Sequence, residues 1–455
     1  MKITRNINPN IFREYDIRGI YGTELTEDIA YTIGKSFGTY IQTFNQTKTI
    51  IGHDNRLSSP VLKEALIKGI TETGINVVDL GLVTTPMYYY ARQLLDLETG
   101  IMITASHNPR EYNGFKIAFN KISNAYGEYI SKFRDFTLTE EFKEGKGTVE
   151  PYNIKEQYLE LIEKSLDFKD KPKVVVDCGN GTGSIIIEDI LKRLNITYEL
   201  LYCESDGNFP NHHPDPSDYK NLKELSEKVK ELNYDIGIGI DGDADRVGVV
   251  DEKGNIIPVD ILMAIIYRYL NPTLKNRSAL FDVKCSKSLI DELEKLNIKP
   301  VMYRTGNSYS CMMMKKGNFD FGGEYSGHLF FSDKFPTIDD GIYNGLRIME
   351  IMSQTNKKLS ELEEPINKYH STPELKFKTT DDKKHNIIET VKEYCQEKNY
   401  NTITIDGVRI NFNDGWALVR CSNTGPNLTA RFEATTKERL QEIQTEFTNL
   451  IEKNL

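Results

Sequence analysis

The sequence predicts an α/β protein of several domains that ends in a smaller α+β unit. Short apolar runs alternate with longer amphipathic segments over most of the chain, a pattern typical of strands joined by helices in mixed or parallel sheets. The 455 residues exceed what one hydrophobic core usually supports, and about 150 residues per domain gives three or four domains. Residues 368–455 differ, because several strand-like runs follow one another there between two helical segments.

The individual elements are predicted from apolar periodicity along the chain. We expect strands at 48–51, 75–80, 100–104, 115–119, 173–177, 234–240 and 247–250. We expect helices in the same part of the chain at 28–44, 60–72 and 183–194. In the last unit, helices at 384–397 and 436–452 enclose predicted antiparallel strands at 402–405, 408–412, 416–420 and 428–432.

The composition narrows the classes of function. The formal net charge is −10 and the lysines and arginines form no basic block, so we expect no nucleic-acid partner. The six cysteines form no CxxC pair, and their spacings indicate neither a zinc site nor a disulfide framework. No apolar run approaches the roughly 20 residues of a membrane span, and the N-terminal segment shows no apolar signal region. We therefore expect a cytoplasmic protein without a membrane partner.

A polar loop with the sequence TASHNP, at 104–109, carries a candidate nucleophile. It follows a predicted strand and precedes Asn113-Gly114, which predicts a hairpin turn. Ser106 would then lie at a loop tip, with His107 beside it and Lys116 across the turn. A serine hydroxyl becomes a useful nucleophile only with basic help, which these two neighbours supply. A purely structural polar turn, ended by the proline, is the alternative.

Three aspartates dominate the loop DGDADR at 241–246, which lies between two apolar strand runs. In an extended loop, Asp241, Asp243 and Asp245 point to the same side and repel one another unless a cation lies among them. Mg²⁺ prefers such oxygen ligands and keeps positions free for phosphate oxygens. There are three alternatives. An EF-hand loop is one, although Arg246 stands at its glycine position, and a solvated turn is another. The third is a phosphatase with an aspartyl nucleophile, although that motif has two aspartates before a threonine.

Two further polar loops offer groups suited to sugars and phosphates. In GEYSGH at 323–328, Glu324, Ser326 and His328 alternate along a predicted extended segment, where a carboxylate can accept hydrogen bonds from vicinal hydroxyls. In RCSNTGP at 420–426, a guanidinium, two hydroxyls, an amide and flexible backbone N–H groups suit a phosphate dianion. A glycine-bounded turn and a polar hairpin loop are the respective alternatives.

A fifth motif, DCGNGTG at 177–183, follows a predicted strand and opens a helix, as dinucleotide-binding loops do. Its glycines are spaced G-x-G-x-G instead of G-x-G-x-x-G. We therefore interpret it as a tight strand-to-helix turn.

Taken in order, the four loops resemble those of the α-D-phosphohexomutase superfamily, and within it the bacterial phosphomannomutase/phosphoglucomutase group. The segments FREYDIRG at 12–19, DGNFPNHHPDPS at 206–217 and GVRI at 407–410 extend the resemblance over nearly the whole chain. The resemblance implies three related mixed α/β domains and a smaller C-terminal α+β domain around a central cleft, with one loop from each. The implied domains are 1–152, 153–255, 256–367 and 368–455.

The resemblance also assigns roles residue by residue. It places the phosphoserine at Ser106 and the Mg²⁺ ligands at Asp241, Asp243 and Asp245, with an oxygen of the phosphorylated Ser106 completing the metal site. Acid–base and transition-state helpers correspond to His107, Lys116 and Arg18. The residues that correspond to substrate contacts are Tyr15, Arg246, Lys284, Glu324, Ser326, His328, Arg420, Ser422, Asn423 and Thr424.

The implied activity is a Mg²⁺-dependent interconversion of hexose 1-phosphate and hexose 6-phosphate, through a phosphoserine and a hexose 1,6-bisphosphate. The implied partner is a small phosphosugar, and we expect a monomer. Tyr325 and Ala244 favour the mannose and glucose enzymes over phosphoglucosamine mutases. Asn307 stands where relatives often have His, so a titratable group is lost there. A phosphoglucosamine mutase, a phosphosugar hydrolase and a non-catalytic phosphosugar-binding protein are the alternatives.

Overall fold

The computed structural model describes residues 1–121, 124–422, 425 and 427–455. It confirms the predicted fold class, because three mixed sheets with flanking helices are followed by an antiparallel sheet with two helices. Short 3-10 turns lie at Pro9–Ile11, Thr182–Ile185 and Tyr219–Leu222.

The first domain is built on a mixed sheet in the order β1-β5-β4-β2-β3-β6. Its strands are β1 (Ile17–Ile20), β2 (Lys48–His53), β3 (Asn76–Leu82), β4 (Gly100–Ile103), β5 (Tyr112–Ala118) and β6 (Val149–Pro151). Its helices are α1 (Glu27–Gln42), α2 (Ser59–Thr71), α3 (Thr85–Leu94) and α4 (Glu128–Thr139). Strand β5 runs antiparallel to both neighbours, while β4, β2, β3 and β6 are parallel.

The second domain has the sheet order β11-β10-β9-β7-β8. Its strands are β7 (Val174–Asp177), β8 (Tyr198–Leu201), β9 (Ile236–Ile240), β10 (Val247–Asp251) and β11 (Ile256–Ile257). Its helices are α5 (Lys155–Lys164), α6 (Ile187–Arg193) and α7 (Lys223–Leu232). All residues of β7, β9 and β10 are buried, which explains their almost continuous apolar sequences.

The third domain has the sheet order β13-β12-β14-β15. Its strands are β12 (Ser278–Asp282), β13 (Lys299–Tyr303), β14 (Phe321–Gly323) and β15 (Leu329–Phe331). Its helices are α8 (Val259–Leu270), α9 (Lys287–Lys295), α10 (Asn307–Gly317), α11 (Gly341–Thr355) and α12 (Leu359–Glu363).

The last domain is an antiparallel sheet in the order β16-β21-β20-β19-β18, with β17 also paired to β21. Its strands are β16 (His370–Ser371), β17 (Leu375–Lys378), β18 (Asn401–Ile403), β19 (Val408–Phe412), β20 (Gly415–Cys421) and β21 (Asn427–Ala434). Helices α13 (Asp381–Glu397) and α14 (Lys437–Glu452) pack on this sheet.

The first three sheets share one arrangement. In each, an antiparallel hairpin lies beside two parallel strands, in the orders β5-β4-β2-β3, β10-β9-β7-β8 and β15-β14-β12-β13. The hairpin loops are the Ser106 loop, the aspartate loop and the Glu324 loop. The polar motifs therefore occupy the same position in three related folds, and the 420–426 motif likewise joins two antiparallel strands, β20 and β21.

The predicted hairpin turn at Asn113-Gly114 is wrong, because both residues lie inside strand β5. The connection from β4 to β5 is instead the longer polar loop from Thr104 to Glu111. The Asn113 amide is fully buried and donates hydrogen bonds to the hydroxyls of Ser58 and Ser59. A Cβ atom on Gly114 would lie 2.2 Å from the Ile17 carbonyl oxygen, so this glycine allows close approach of strand β1.

The hydrophobic cores join the domains. One large cluster of buried side chains runs through the first three domains and includes Ile50, Val176, Ile238, Leu262 and Phe281. A second cluster lies on the other face of the first sheet, and a third belongs to the last domain. Across the described ranges, no helix combines the length and apolar character that a membrane span requires.

Helices α1 and α2 pack closely at two glycines. A Cβ atom on Gly34 would lie 2.3 Å from the carbonyl oxygen of Leu66, and one on Gly69 would lie 2.3 Å from that of Tyr31. No real side chain tolerates such contacts with backbone atoms, so glycine at both positions lets the two helices approach.

We predict that Gly34→Ala destabilises the first domain by about 1–3 kcal/mol, because the added methyl group forces α1 away from α2. The midpoint of thermal unfolding, measured by scanning calorimetry, should fall by roughly 3–10 °C. Gly183→Ala is the matched control, since a Cβ atom there meets its nearest neighbour at 3.5 Å. Equal midpoints for the two variants would contradict the packing argument.

Candidate active site

Ser106 lies at the β4–β5 loop in a backbone conformation that is unusual for serine. Its φ is 48°, in the left-handed region, and its N–H donates to Thr104 Oγ1 at 2.9 Å. The Ser106 hydroxyl donates to Asp241 Oδ2 at 2.9 Å and lies 3.3 Å from His107 Nδ1. The predicted nucleophile therefore contacts both a basic neighbour and the aspartate loop of the second domain.

Arg56, which the sequence analysis did not identify as a site residue, binds the backbone of this loop. Its guanidinium donates to four backbone carbonyl oxygens, those of Ser106 (2.8 Å), Asn108 (2.6 Å), Pro109 (2.7 Å) and Tyr112 (3.0 Å). The side chain is buried, and its charge is offset by Asp54. A polar Asp-x-Arg directly after the buried strand β2 is the sequence signal that could have identified it.

Arg18 holds the same loop from strand β1. It donates to the carbonyl oxygen of Ala105 at 3.1 Å and to the side chain of Asn108 at 2.7 Å, and it pairs with Asp16. Arg18 is buried and is held against the backbone next to Ser106, where the sequence analysis expected a catalytic helper.

The three aspartates lie together, but the loop that carries them is not extended as predicted. It is a turn, with Ala244 at a left-handed φ of 67°. Asp241 Oδ1 accepts hydrogen bonds from the backbone N–H groups of Asp245 and Arg246, both at 3.0 Å. Oxygen atoms of Asp241, Asp243 and Asp245 all lie within 4.8 Å of one another, and the three residues are buried.

Lys116 offsets part of the charge of this aspartate cluster. Its ammonium group donates to Asp243 Oδ2 at 2.7 Å and to Asp245 Oδ2 at 2.5 Å. Burial alone would lower the pKa of Lys116, but the two carboxylates outweigh it and raise the pKa well above its usual value. Lys116 is thus held in its protonated form and acts as a hydrogen-bond donor to both carboxylates. Thr85, at the start of α3, also donates to Asp243 Oδ2, at 2.7 Å.

The cluster has the donor set of a divalent-cation site. Within the described residues, Oδ1 of Asp243 and Oδ1 of Asp245 are buried without a hydrogen-bond partner. Unpartnered buried carboxylate oxygens are costly, and a bound cation would remove that cost. Burial and the nearby carboxylates of Asp245 and Asp243 raise the pKa of Asp241 well above its usual value, because three negative charges lie close together. These residues fit Mg²⁺.

His107 is held neutral. Burial, together with the positive charges of Arg246 and Arg18, lowers the pKa of His107 well below its usual value. A neutral imidazole 3.3 Å from the serine hydroxyl has the protonation state that a proton acceptor needs.

The Glu324 loop is a hairpin turn and not the extended segment that alternation predicted. Gly327 has a φ of 101°, and its N–H donates to the carbonyl oxygen of Glu324. The buried carboxylate of Glu324 accepts from the N–H of Gly306 at 3.0 Å and from the Ser310 hydroxyl at 2.6 Å, while the Ser326 hydroxyl lies 3.3 Å away. Glu324 and Ser326 are therefore neighbours, as the sequence predicted.

His328, beyond this turn, connects the second and third domains. Its Nε2 accepts from Arg246 Nε at 2.9 Å, and its Nδ1 lies 2.9 Å from Asp339 and 3.6 Å from Asp245. Burial would lower the pKa of His328, but Asp245 and Asp339 raise it overall. The sequence did not point to Asp339, which also accepts from the Asn307 amide at 3.1 Å. Asn307 therefore keeps a structural hydrogen bond without a titratable group.

Arg420, which the sequence analysis placed in a polar loop, lies in strand β20, and Asp406 connects it to the third domain. The Asp406 carboxylate accepts from Arg420 Nε at 3.0 Å and from the backbone N–H of Thr305 at 3.1 Å. Arg420 is buried, and its Nη2 has no hydrogen-bond partner among the described residues. A buried guanidinium with a free donor is suited to an incoming anion.

The remaining predicted substrate contacts lie near this loop or outside the described residues. Lys284 lies 3.6 Å from Glu374 and 3.9 Å from Asp282. The ring of Tyr15 faces Gly306, where a Cβ atom would lie 3.2 Å away. The carbonyl oxygen of Ser422 accepts from Lys384, whereas Asn423 and Thr424 lie outside the described residues.

Comparison with known proteins agrees with this geometry. The chain matches the family profiles described as phosphoglucomutase/phosphomannomutase, alpha/beta/alpha domain I at residues 9–144, domain II at 156–254 and domain III at 258–369, and the C-terminal domain at 374–450. The crystal structure of a phosphoglucomutase/phosphomannomutase family protein from Burkholderia thailandensis is similar, with a TM-score of 0.90 and 34% identity, covering 98% of each chain.

Full-length relatives carry matching names. The phosphomannomutase/phosphoglucomutase of Pseudomonas aeruginosa is 41% identical over 442 residues, which covers 97% of this chain and 95% of that protein. The phosphoglucomutase of Neisseria meningitidis is 38% identical over 453 residues, which covers 99% of this chain and 98% of that protein. Profiles over most of the sequence and relatives of this identity at full length show that the chain belongs to the phosphoglucomutase/phosphomannomutase family.

Proposed function

We propose that this phosphohexomutase moves a phosphoryl group between O1 and O6 of glucose or mannose through Ser106, by way of a hexose 1,6-bisphosphate. The observation that carries the proposal is the hydrogen bond from the Ser106 hydroxyl to Asp241, one of three buried aspartates. A nucleophile beside a buried carboxylate cluster is the arrangement that metal-assisted phosphoryl transfer requires.

Asp241, Asp243, Asp245 and Ser106 would hold the Mg²⁺ ion. Bound there, the ion would offset charge on the transferring phosphoryl group. The proposal divides the chain at 152, 255 and 367, so that each domain supplies one of the four loops.

The protein's own groups move the proton. When phosphorylated Ser106 donates, the P–O bond to serine breaks, a P–O bond to the sugar forms, and the sugar hydroxyl loses its proton. Neutral His107 accepts that proton and passes it to the Ser106 oxygen that has lost its phosphoryl group. In the reverse transfer the proton moves from Ser106 to the sugar oxygen by the same route. Lys116, which keeps its proton, and Arg18 stabilise the negative charge that develops near Ser106.

The other loops bind the sugar and its second phosphate. Glu324, Ser326 and His328 contact the sugar hydroxyls, and Tyr15, Arg246 and Lys284 complete the binding surface. Arg420, Ser422, Asn423 and Thr424 hold the phosphate that is not reacting, and generic donors suit a group that arrives from either end of the sugar. The enzyme would act as a cytoplasmic monomer on phosphosugars alone.

Phosphorus NMR of the purified protein tests the proposal. With Mg²⁺ and a trace of glucose 1,6-bisphosphate, glucose 1-phosphate and mannose 1-phosphate should each be converted to the 6-phosphate. Ser106→Ala should lower turnover at least about a thousandfold, because the nucleophile is lost, while the Kd for glucose 1-phosphate in calorimetry changes little.

Ser131→Ala, the same substitution at an exposed site on α4, is the control and should leave turnover unchanged. Near wild-type turnover by Ser106→Ala would refute the phosphoserine. Release of inorganic phosphate without a 6-phosphate would identify a hydrolase. Turnover of glucosamine phosphate instead would identify a phosphoglucosamine mutase.

We predict that Arg420→Ala acts mainly on substrate binding. The loss of a charge-assisted contact to the non-reacting phosphate should raise KM about 10- to 100-fold, with a smaller change in kcat. Arg439→Ala is the control, because Arg439 pairs with Asp414 and Glu442 in the same domain. An unchanged KM for Arg420→Ala would remove the fourth loop from the phosphate site.

We predict that Arg56→Lys acts mainly on turnover. A lysine ammonium lacks the planar set of donors that gathers four carbonyl oxygens, so Ser106 would be misplaced. A displacement of this kind should lower kcat about 10- to 100-fold and leave KM nearly unchanged. Arg347→Lys is the control, since Arg347 is equally buried but pairs with Asp333 and Glu350. Equal losses of kcat in both variants would contradict the prediction, because the effect would then follow from replacing any buried arginine.

A further inference from the structure

The glycine-rich turn at 177–183 contacts the backbone of the aspartate loop, a contact that the sequence did not predict. The N–H and the hydroxyl of Thr182 both donate to the carbonyl oxygen of Gly242, at 2.9 and 3.0 Å. A Cβ atom on Gly181 would lie 2.8 Å from the same carbonyl oxygen. The turn therefore supports the aspartate loop through Thr182, and the absence of a side chain at Gly181 permits that close contact.

Two cysteines meet at the base of this turn. Cys178 follows strand β7, and Cys203 lies two residues after the parallel strand β8. Their Sγ atoms are 2.7 Å apart. Tyr202, directly before Cys203, has a left-handed φ of 51°, and its carbonyl oxygen accepts from the N–H of Asn180 at 2.7 Å. The ends of both strands are thus hydrogen-bonded where the thiols meet.

The two thiols differ in access to solvent. Cys178 is fully buried, whereas Cys203 is partly exposed. Burial raises the pKa of the Cys178 thiol well above its usual value. A small oxidant therefore reaches Cys203 first, and Cys178 is the thiol positioned to react next.

We propose that Cys178 and Cys203 are a redox modification site that closes into a disulfide when the protein meets hydrogen peroxide and reopens with a dithiol reductant. The Cys203 sulfur attacks one peroxide oxygen, the O–O bond breaks, and a sulfenic acid and one water form. The Cys178 sulfur then attacks the Cys203 sulfur, the S–S bond forms, and the hydroxyl leaves with the Cys178 proton as a second water. Two thiols and one peroxide thus give one disulfide and two waters.

The cross-link requires little movement of the active site. The sulfur atoms need to approach by less than about 1 Å to reach a disulfide bond length of roughly 2.05 Å. The turn that supports the aspartate loop can therefore stay in place. The bond joins β7 to β8 around the connection through α6, and closing such a loop restricts the unfolded chain.

The test uses the full-length protein treated with a small excess of hydrogen peroxide, then alkylated in denaturant with iodoacetamide. The intact mass should show two of the six cysteines unalkylated, and a tryptic digest should contain one disulfide-linked pair, Cys178–Cys203. Dithiothreitol should restore all six alkylation sites. The midpoint of thermal unfolding should rise by roughly 5 °C in the oxidised protein, and turnover should persist.

Cys203→Ser should abolish the linked peptide, and Cys421→Ser is the control because Cys421 is also partly buried and should leave the linkage intact. Disulfide mapping of the unmutated protein tests the proposed linkage even if a variant fails to fold. Alkylation of all six cysteines after peroxide, sulfonic acid at Cys203, or a linkage between two chains would overturn the proposal. Loss of turnover that dithiothreitol reverses would overturn the claim that the aspartate loop stays in place.

Discussion

The arrangement of the active site depends on three buried aspartate carboxylates that lie close to one another and next to Ser106. Asp241, Asp243 and Asp245 are removed from solvent within 4.8 Å of one another, an arrangement that is unfavourable unless positive charge lies among them. Lys116 supplies part of that charge from the neighbouring domain. Removal of one partner from a buried ion pair typically costs about 3–5 kcal/mol, so the aspartate cluster also helps to fix the first domain against the second.

The repeated topology explains how motifs far apart in sequence reach one place. Each of the first three sheets presents a hairpin loop beside its parallel strands, and short contacts connect these loops in sequence order. Ser106 contacts Asp241 and Arg246 contacts His328, each at 2.9 Å. The shared hydrophobic core behind the sheets keeps these distances fixed, because close-packed interiors deform little. The sheets and their shared core therefore determine where the polar loops lie. The loop residues themselves determine which chemical groups are present there.

The sequence predicted the fold class and the polar motifs that lie between neighbouring strands, because apolar periodicity and clustered polar groups are local properties. It failed where a contact from outside the segment decided the local conformation. Asn113-Gly114 reads as a turn, but burial of the Asn113 amide against Ser58 and Ser59 favours a strand. Arg56 was missed for the same reason, since its four carbonyl partners lie 50 or more residues away.

The last domain is fixed to the third through the segment that carries Lys284. Arg409 donates to the carbonyl oxygens of Val283 and Cys285, and Arg431 donates to that of Lys284. The Arg409 guanidinium stacks on Trp416, with its carbon 3.8 Å from the ring centre. Both arginines belong to the same sheet as Arg420, which lies near the end of strand β20. The sheet that contains Arg420 therefore also holds the backbone around Lys284, so a displacement of that sheet would move these two proposed substrate contacts together.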